Sequence, residues 1–243
     1  MPGSRVSVVV VSYNTREKLH RCLSCVEPEH ELIVVDNASH DDSADMVAQD
    51  FPAVKLIRNK SNRGFGAANN QGLDVATREL VLFLNSDADA HPGAINRLAK
   101  EFIGPNIVGA GGQLLNEDGS RQLSSANQLT LWAVLCEQLY LEKLAPRSKV
   151  LSPYWNSNHI GNETTTVVQV MGACLMMRAR ERFDERFFLY CEDTELCYRL
   201  RKHGKILYVP EAKFIHDLGS SSSSERWRAI ARYNRGKELF FRL

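Results

Sequence analysis

The chain has 243 residues carrying 30 basic and 29 acidic side chains, a formal net charge of +1. That balance gives no general attraction to nucleic acid, and 44% hydrophobic with 24% charged residues is ordinary for a globular protein large enough to bury a sizeable core. No run approaches the roughly 18 consecutive apolar residues of a membrane span, and six scattered cysteines include no zinc-binding arrangement.

The N-terminus, "MPGSRVSVVVVSYN", has the outline of a short signal peptide, but its apolar core covers only residues 8–11 and Tyr13-Asn14 interrupts it. It reads instead as the first strand, Val6 to Ser12, of a cytoplasmic protein, its β-branched run marking a strand buried on both faces. Residues 15–26 have helical spacing, with Leu19, Cys22, Leu23 and Val26 on one stripe. The Cys22–Cys25 pair falls inside that pattern, not at a helix start after a strand, so it reads as two reduced thiols. "ELIVVDNAS" is a second strand ending in a polar turn, residues 42–50 a short helix, and "AVKLIRN" a third strand. "GFGAANNQGLDVA" is helical despite its glycines, "ELVLFLN" is a fourth strand, and Pro92 suits the first turn of a helix running to about Phe102.

The second half is less regular. "IVGAGGQLLNEDGSRQL" predicts a strand, a turn and a returning strand. Residues 128–144 form a strongly apolar helix that either rests on a membrane surface or packs in the core, core being expected, and residues 145–166 a mobile loop rich in Pro, Ser and Asn. "VVQVMGACLMMRA" is a strand or strand pair, "YCEDTELCYRLRKHGK" a turn and a helix that Gly204 ends, and "ILYVPEAKFIHD" two short strands. The serine run 220–224 leads into a basic terminal helix.

Strands alternating with helices predict a mostly parallel sheet covered on both sides, and such sheets bind ligands beyond the carboxyl ends of their strands. The polar clusters lie at those ends: Ser12-Tyr13-Asn14, Asp36-Asn37, residues 59–66, and Asn85 to Asp89. In "NSDADAHP", Asp87 and Asp89 are either a solvated turn before the next helix or a carboxylate pair for a hard cation, Mn²⁺ or Mg²⁺, whose other ligands include phosphate oxygens. Asp36 is either a turn residue or an acceptor for a ribose or base N–H. Arg63 is a partner for phosphate, and the glycines after it permit close backbone approach. Gly64-Phe65-Gly66 begins a dinucleotide fingerprint but has Asn69 where the third glycine belongs, and it follows the wrong strand. Glu192 and Asp193 are either helix-start acids or a general base with its neighbour, and His216 either a polar strand end or a nitrogen metal ligand.

Six segments in order, "VSVVVVSYN", "ELIVVDNASHDDS", "NRGFGAANNQG", "LFLNSDAD", "FDERFFLYCEDTELCYRLRKHG" and "HDLGSS", resemble the family 2 glycosyltransferases, inverting enzymes of the GT-A fold, and in particular their bacterial rhamnosyltransferase-like branch. The resemblance implies a Rossmann-like α/β architecture. A nucleotide-sugar half would span residues 1–112, an acceptor-side half with the catalytic base residues 113–221, and a basic amphipathic helix residues 222–243, all in one continuous domain. It implies a donor pocket of Ser12, Tyr13, Asn14, Asp36, Asn37, Arg63, Gly64 and Asn69. It makes Asp89 the direct metal ligand, Asp87 a DxD partner nearer the ribose, His216 a further ligand, Asp193 the base and Glu192 an acceptor-side support. The implied partners are a UDP- or dTDP-sugar, dTDP-rhamnose among them, and a glycan or lipid-linked glycan acceptor of cell-surface polysaccharide synthesis.

The chain departs from the branch at "EDTEL", where a second Asp is usual, so Glu195 carries no assigned role. It also lacks a glycine in "MRARER", and at 243 residues it is short for the branch, so a C-terminal acceptor-binding extension is expected to be missing. From residue 225 to 243 basic side chains interleave with Trp227, Ile230, Tyr233 and Phe240, which reads either as a helix resting on the inner face of the membrane or as one packed on the domain. A nucleotidyltransferase is disfavoured because "SYNTREK" replaces its glycine-rich loop; a binding protein without turnover is opposed by Asp193.

Overall fold

The computed structural model describes residues 5–155, 161–179, 181–217 and 226–243. The serine run 220–224 and the end of the "HDLGSS" segment lie outside the described residues, as does part of the expected 145–166 loop. Strands β1 (Val6–Ser12), β2 (Glu31–Asp36), β3 (Lys55–Arg58) and β4 (Leu80–Asn85) alternate with helices α1 (Arg16–Ser24), α2 (Ser43–Asp50) and α3 (Phe65–Val75), as the hydrophobic pattern predicts. They form a parallel sheet in the order β3-β2-β1-β4. A short strand β5 (Ala88–Ala90) follows, then α4 (Ala94–Ala99), β6 (Ile107–Leu115) and β7 (Ser125–Ala126). Helices α5 (Leu131–Gln138) and α6 (Leu141–Leu144) precede β8 (Thr165–Val167), β9 (Gln169–Val170) and β10 (Cys174–Arg178). The chain closes with α7 (Glu192–Leu200), β11 (Lys205–His216) and α8 (Arg226–Phe240).

Strand β10 inserts antiparallel between β4 and β6, and β11 runs parallel to β6, extending the sheet to β10-β6-β11-β5 with β8 added on β11. The side-chain period of two sends Val8, Val10, Leu82 and Leu84 to one face, against Leu19 of α1 and Ile95 and Leu98 of α4. Val9, Val81 and Phe83 go to the other, against Phe183 and against Leu196 and Leu200 of α7. Both faces are dry, so the central strands carry unbroken apolar runs, each buried Val, Leu or Ile contributing about 1.5–3 kcal/mol.

Four expectations are corrected. The two strands expected in "ILYVPEAKFIHD" are one, β11, which stays paired with β6 across a register shift between Val209 and Lys213 that absorbs Pro210. The strand expected to return after "EDG" is reduced to an isolated bridge between Leu115 and Arg121. The helix at Pro92 starts two residues later, because Gly93 is left-handed (φ 78°), and ends at Ala99. The apolar helix expected at 128–144 is not continuous, and only part of it is core. Left-handed Tyr140 (φ 56°) breaks it, α5 buries only Ala133 and Cys136, and α6 buries nothing.

Helix α3 reaches the sheet through Gly72, where a Cβ would lie 2.3 Å from Val9 Cγ1. Gly72→Ala should therefore lower the urea midpoint with an unchanged m-value, a loss of about 1–3 kcal/mol from overpacking. A variant as stable as the parent would show that the helix–sheet spacing is not set there.

Candidate active site at the carboxyl ends of the strands

At the end of β1, Ser12 Oγ lies 2.9 Å from Thr15 Oγ1, which donates to Ser86 Oγ at 2.9 Å, a buried hydroxyl chain joining the ends of β1 and β4. Ser12 is wholly buried, so it holds the floor of the cleft, while Tyr13 is exposed at its rim. Asn14, left-handed at φ 55°, accepts from the His40 backbone N–H (2.7 Å) and its own N–H donates to Ser39 Oγ (3.0 Å), pinning the turn after β2. In that turn Asp36 Oδ2 accepts from Ser39 N–H (3.1 Å), whereas the buried Oδ1 has no partner. Buried polar atoms are normally satisfied, so a carboxylate oxygen left open at a strand end suits a ligand N–H or O–H.

Asn37 is a hub. Its Nδ2 donates to Asn62 Oδ1 (2.9 Å) and the Gly64 carbonyl (3.2 Å), and its Oδ1 accepts from Arg63 N–H (2.9 Å) and Asn59 Nδ2 (3.1 Å). Its amide is thus spent on shaping the 59–64 loop, from which the Arg63 side chain extends exposed. Gly64, at φ +86°, must be glycine for a second reason: a Cβ there would lie 2.5 Å from the Phe188 carbonyl, which accepts from Phe65 N–H at 2.8 Å. Asn69 is buried and donates to the Phe65 carbonyl (3.1 Å). Next to it Asn70, given no role by the sequence, holds both backbone groups of Phe183 (2.9 and 3.0 Å) and Glu185 Oε1 (3.1 Å). The "GFGAANN" and "FDERFFLY" segments are therefore one hydrogen-bonded seam.

The Asp87-Asp89 turn is part of the sheet. Strand β5 pairs antiparallel with the end of β11, setting Asp89 opposite Ile215 and Ala88 opposite His216. Asp87, Asp89 and His216 are all buried. His216 Nε2 lies 3.4 Å from Asp87 Oδ1 and 3.3 Å from Asn85 Nδ2; its Nδ1 lies 3.1 Å from Gln122 Oε1. Because Gln122 Nε2 donates to the His216 carbonyl, Oε1 is left to accept, so Nδ1 carries the hydrogen and Nε2, without one, accepts from Asn85 Nδ2 and faces Asp87. Asp89 Oδ2 is held by Arg21 Nε at 2.5 Å, while Oδ1 is buried without a partner; burial pushes this carboxyl up, against the pull of Arg21. Among the described residues no three His, Cys, Asp or Glu side chains enclose a cation by themselves. The donor set nevertheless suits a hard cation that keeps one or two carboxylates and completes its shell with substrate phosphate oxygens.

Across the cleft, α7 begins after left-handed Tyr190 and Cys191. Asp193 Oδ2 accepts from Gly172 N–H (2.9 Å) and Oδ1 from Thr194 N–H (2.8 Å), and a Cβ on Gly172 would come within 3.2 Å of the carboxylate. Ala173 next door accepts from Asn85 N–H at 3.1 Å, so two residues bridge Asp193 to the end of β4. Burial raises the Asp193 carboxyl, opposed by those backbone donors. Glu192 is buried with Oε2 unpartnered, and burial plus the Asp193 charge push its carboxyl up to about 8. Glu195, the departure noted above, forks onto Arg199 (2.5 and 2.8 Å), which also reaches Glu181 (2.8 Å) and the Arg182 carbonyl (2.6 Å). It braces the segment before the seam. Helix α8 covers the turn: a Cβ on Gly236 would lie 2.6 Å from the Tyr190 carbonyl, and the Tyr190 and Tyr233 rings meet edge to face at 6.0 Å.

The sequence profile described as glycosyl transferase family 2 matches residues 7–180. The chain is 26% identical over 254 aligned positions to N-acetylglucosaminyl-diphospho-decaprenol L-rhamnosyltransferase of Mycobacterium tuberculosis, covering 96% of this chain and 82% of that one. Among solved structures it is similar to TarS 1–349 of S. aureus, with a TM-score of 0.61 and 18% identity over 89% of this chain and 61% of the other. It is also similar to the mannosyltransferase PcManGT of Pyrobaculum calidifontis, solved with GDP-Man and Mn²⁺, with a TM-score of 0.60 and 16% identity over 94% and 61%. At these identities the two structures establish the shared GT-A fold.

The open carboxyl of Glu192 has a thermodynamic signature. The folded protein keeps its proton up to about pH 8, whereas an unfolded glutamate releases it near 4.5, so this group's contribution to stability declines as pH rises through that window. Glu192→Gln should gain on the wild type in a pH series of melting temperatures, the difference growing from pH 4.5 to about 8. A constant difference across the series would mean that Glu192 ionises as in water.

Proposed function

The chain belongs to glycosyl transferase family 2, and from that premise we propose that it transfers a hexosyl or rhamnosyl group from a UDP- or dTDP-sugar to an acceptor hydroxyl, with inversion and with Mn²⁺ or Mg²⁺. The observation that carries this reading is the two-residue bridge from Asn85 through Ala173 and Gly172 to Asp193, which brings the buried DxD carboxylates and a carboxylate of raised proton affinity to one end of the sheet. The name of the mycobacterial relative supports a rhamnosyl donor and a lipid-linked glycan acceptor in cell-envelope synthesis. Such an acceptor places the enzyme at the cytoplasmic face of a membrane, in line with one of the two readings of residues 225–243.

In this reading the open Oδ1 of Asp36 accepts the base N–H, Tyr13 closes the nucleoside side, and Arg63 with the Gly64 loop flanks the diphosphate. Asp89 Oδ1 and the unprotonated Nε2 of His216 are the metal donors, and Asp87, against the imidazole, orients that side of the site. A divalent cation held by those two donors would supply positive charge to the departing diphosphate. Asp193 takes the acceptor proton as the hydroxyl oxygen bonds to the anomeric carbon; the bond to the diphosphate breaks on the opposite face, and the nucleoside diphosphate leaves with the electron pair. Glu192, protonated near neutral pH, donates a hydrogen bond to the acceptor without adding a second negative charge beside the base.

UDP or dTDP should raise the melting temperature with Mn²⁺ and much less in EDTA; equal stabilisation in EDTA removes the metal from the proposal. Asp193→Asn should keep that stabilisation and lose about 10²–10⁴ in transfer rate. Wild-type transfer should fall in acid at a higher pH than an ordinary aspartate titrates, because Asp193 must be ionised and its proton affinity is raised. An Asp193→Asn enzyme that still transfers sugar would move the base elsewhere.

A further inference from the structure

We propose that the outer ridge of α5 and α6, with the flank of α8 beside it, is a docking face for an anionic bilayer surface. Leu131, Trp132, Leu135, Leu139, Leu144 and Val150 are each between 45% and 79% exposed. Leu131, Leu135 and Leu139 recur every four residues, one exposed helical stripe opposite the buried Ala133. Trp132 Nε1 donates to the Val150 carbonyl at 2.8 Å, folding the segment after α6 back onto the ridge. Beyond the break at left-handed Tyr140, α6 leaves Leu144 exposed as well. Apolar side chains this large and this grouped are unusual on a surface that faces water alone.

Helix α8 is tied alongside: Gln138 Nε2 donates to Asn234 Oδ1 at 3.2 Å, and Lys237 Nζ pairs with Glu137 at 2.7 Å. That face of α8 is spent on the domain, which answers half of the choice posed by its sequence. Trp227 and Ile230 remain exposed, and so do Phe241 and Leu243 at the end of the chain.

Charge selects the partner. Residues 131–150 and 226–243 hold nine basic and three acidic side chains in a chain whose net charge is +1, so the remainder is net acidic. Exposed bulky aliphatics and tryptophans in segments rich in Lys and Arg match the headgroup region of an anionic leaflet, which accepts apolar side chains and attracts cations together. No helix among the described residues is long and apolar enough to cross a membrane, so this is contact in the interface plane. The placement has a use. Through Gly236, α8 presses on Tyr190 and Cys191, the turn that launches Glu192 and Asp193, so the base lies one helix away from the docking face. That use rests on the lipid-linked acceptor proposed above; the binding does not.

The test uses the full chain and vesicles without donor or acceptor. The protein should co-float with equimolar phosphatidylglycerol and phosphatidylcholine, less with phosphatidylcholine alone, and less again in high salt. Leu135→Glu with Leu139→Glu should weaken flotation at least about tenfold while UDP stabilisation, read by thermal shift with Mn²⁺, is unchanged. Lys143→Glu with Lys149→Glu should lose binding to anionic vesicles only. Trp132 and Trp227 fluorescence should shift to the blue on vesicles and be quenched by brominated lipid. No flotation, undiminished flotation of the leucine variant, or a concentration-dependent dimer that this variant abolishes would each overturn the proposal, the last assigning the ridge to a second copy. Loss of UDP stabilisation with flotation intact would fault the donor reading instead.

Discussion

The antiparallel pairing of β10 with β4 is the join on which the site depends. The first four strands would form a parallel sheet without it, with polar groups at their carboxyl ends and nothing opposite. Register places Cys174 against Leu84, so the chain just before β10 crosses the end of β4, where the Asp87 turn leaves the sheet. The same few residues accept from Asn85 and donate to Asp193. A shift of that register by one residue would turn Leu175 and Met176 to the wrong faces and unmake both cores, so burial of apolar side chains fixes the position of a polar group.

Much of the first half was legible because its signals are local. Val8 to Val10, Ile33 to Val35 and Leu80 to Leu84 carry their burial in their own composition, and Leu19, Cys22 and Leu23 display the helical period directly. Strand β5 was not legible. "ADA" has no β-branched residue, and its partner is the end of β11, far along the chain. The apolar helix at 128–144 misled for the opposite reason: periodicity reports amphipathicity, not what lies against the apolar face. The site residues divide in the same way. Residue type and strand-end position marked Asp36, Asp87 and Asp89, and a helix start marked Asp193, whereas Gln122, Asn70, Gly172 and Arg21 act through partners that only the fold brings near.

Asn37, Asn70 and Gln122 show how the cleft keeps its shape without a ligand. Each is a buried amide using both ends on protein groups from distant segments. A single lost partner would leave a buried donor or acceptor unmet, at about 1–3 kcal/mol. The oxygens left open, Oδ1 of Asp36, Oδ1 of Asp89 and Oε2 of Glu192, therefore stand out against neighbours that are satisfied.

Tyr190 and Cys191 have a consequence for engineering. Two consecutive non-glycine residues sit at φ 73° and 67°, a left-handed region that costs such residues about 1–2 kcal/mol each. A search for thermostable variants would be drawn to glycine or asparagine at both. Relief there would also remove the Cys191 sulfur and the Tyr190 ring that pack against α8, loosening the start of α7. Heat tolerance and the placement of Glu192 and Asp193 would be selected in opposite directions at one turn.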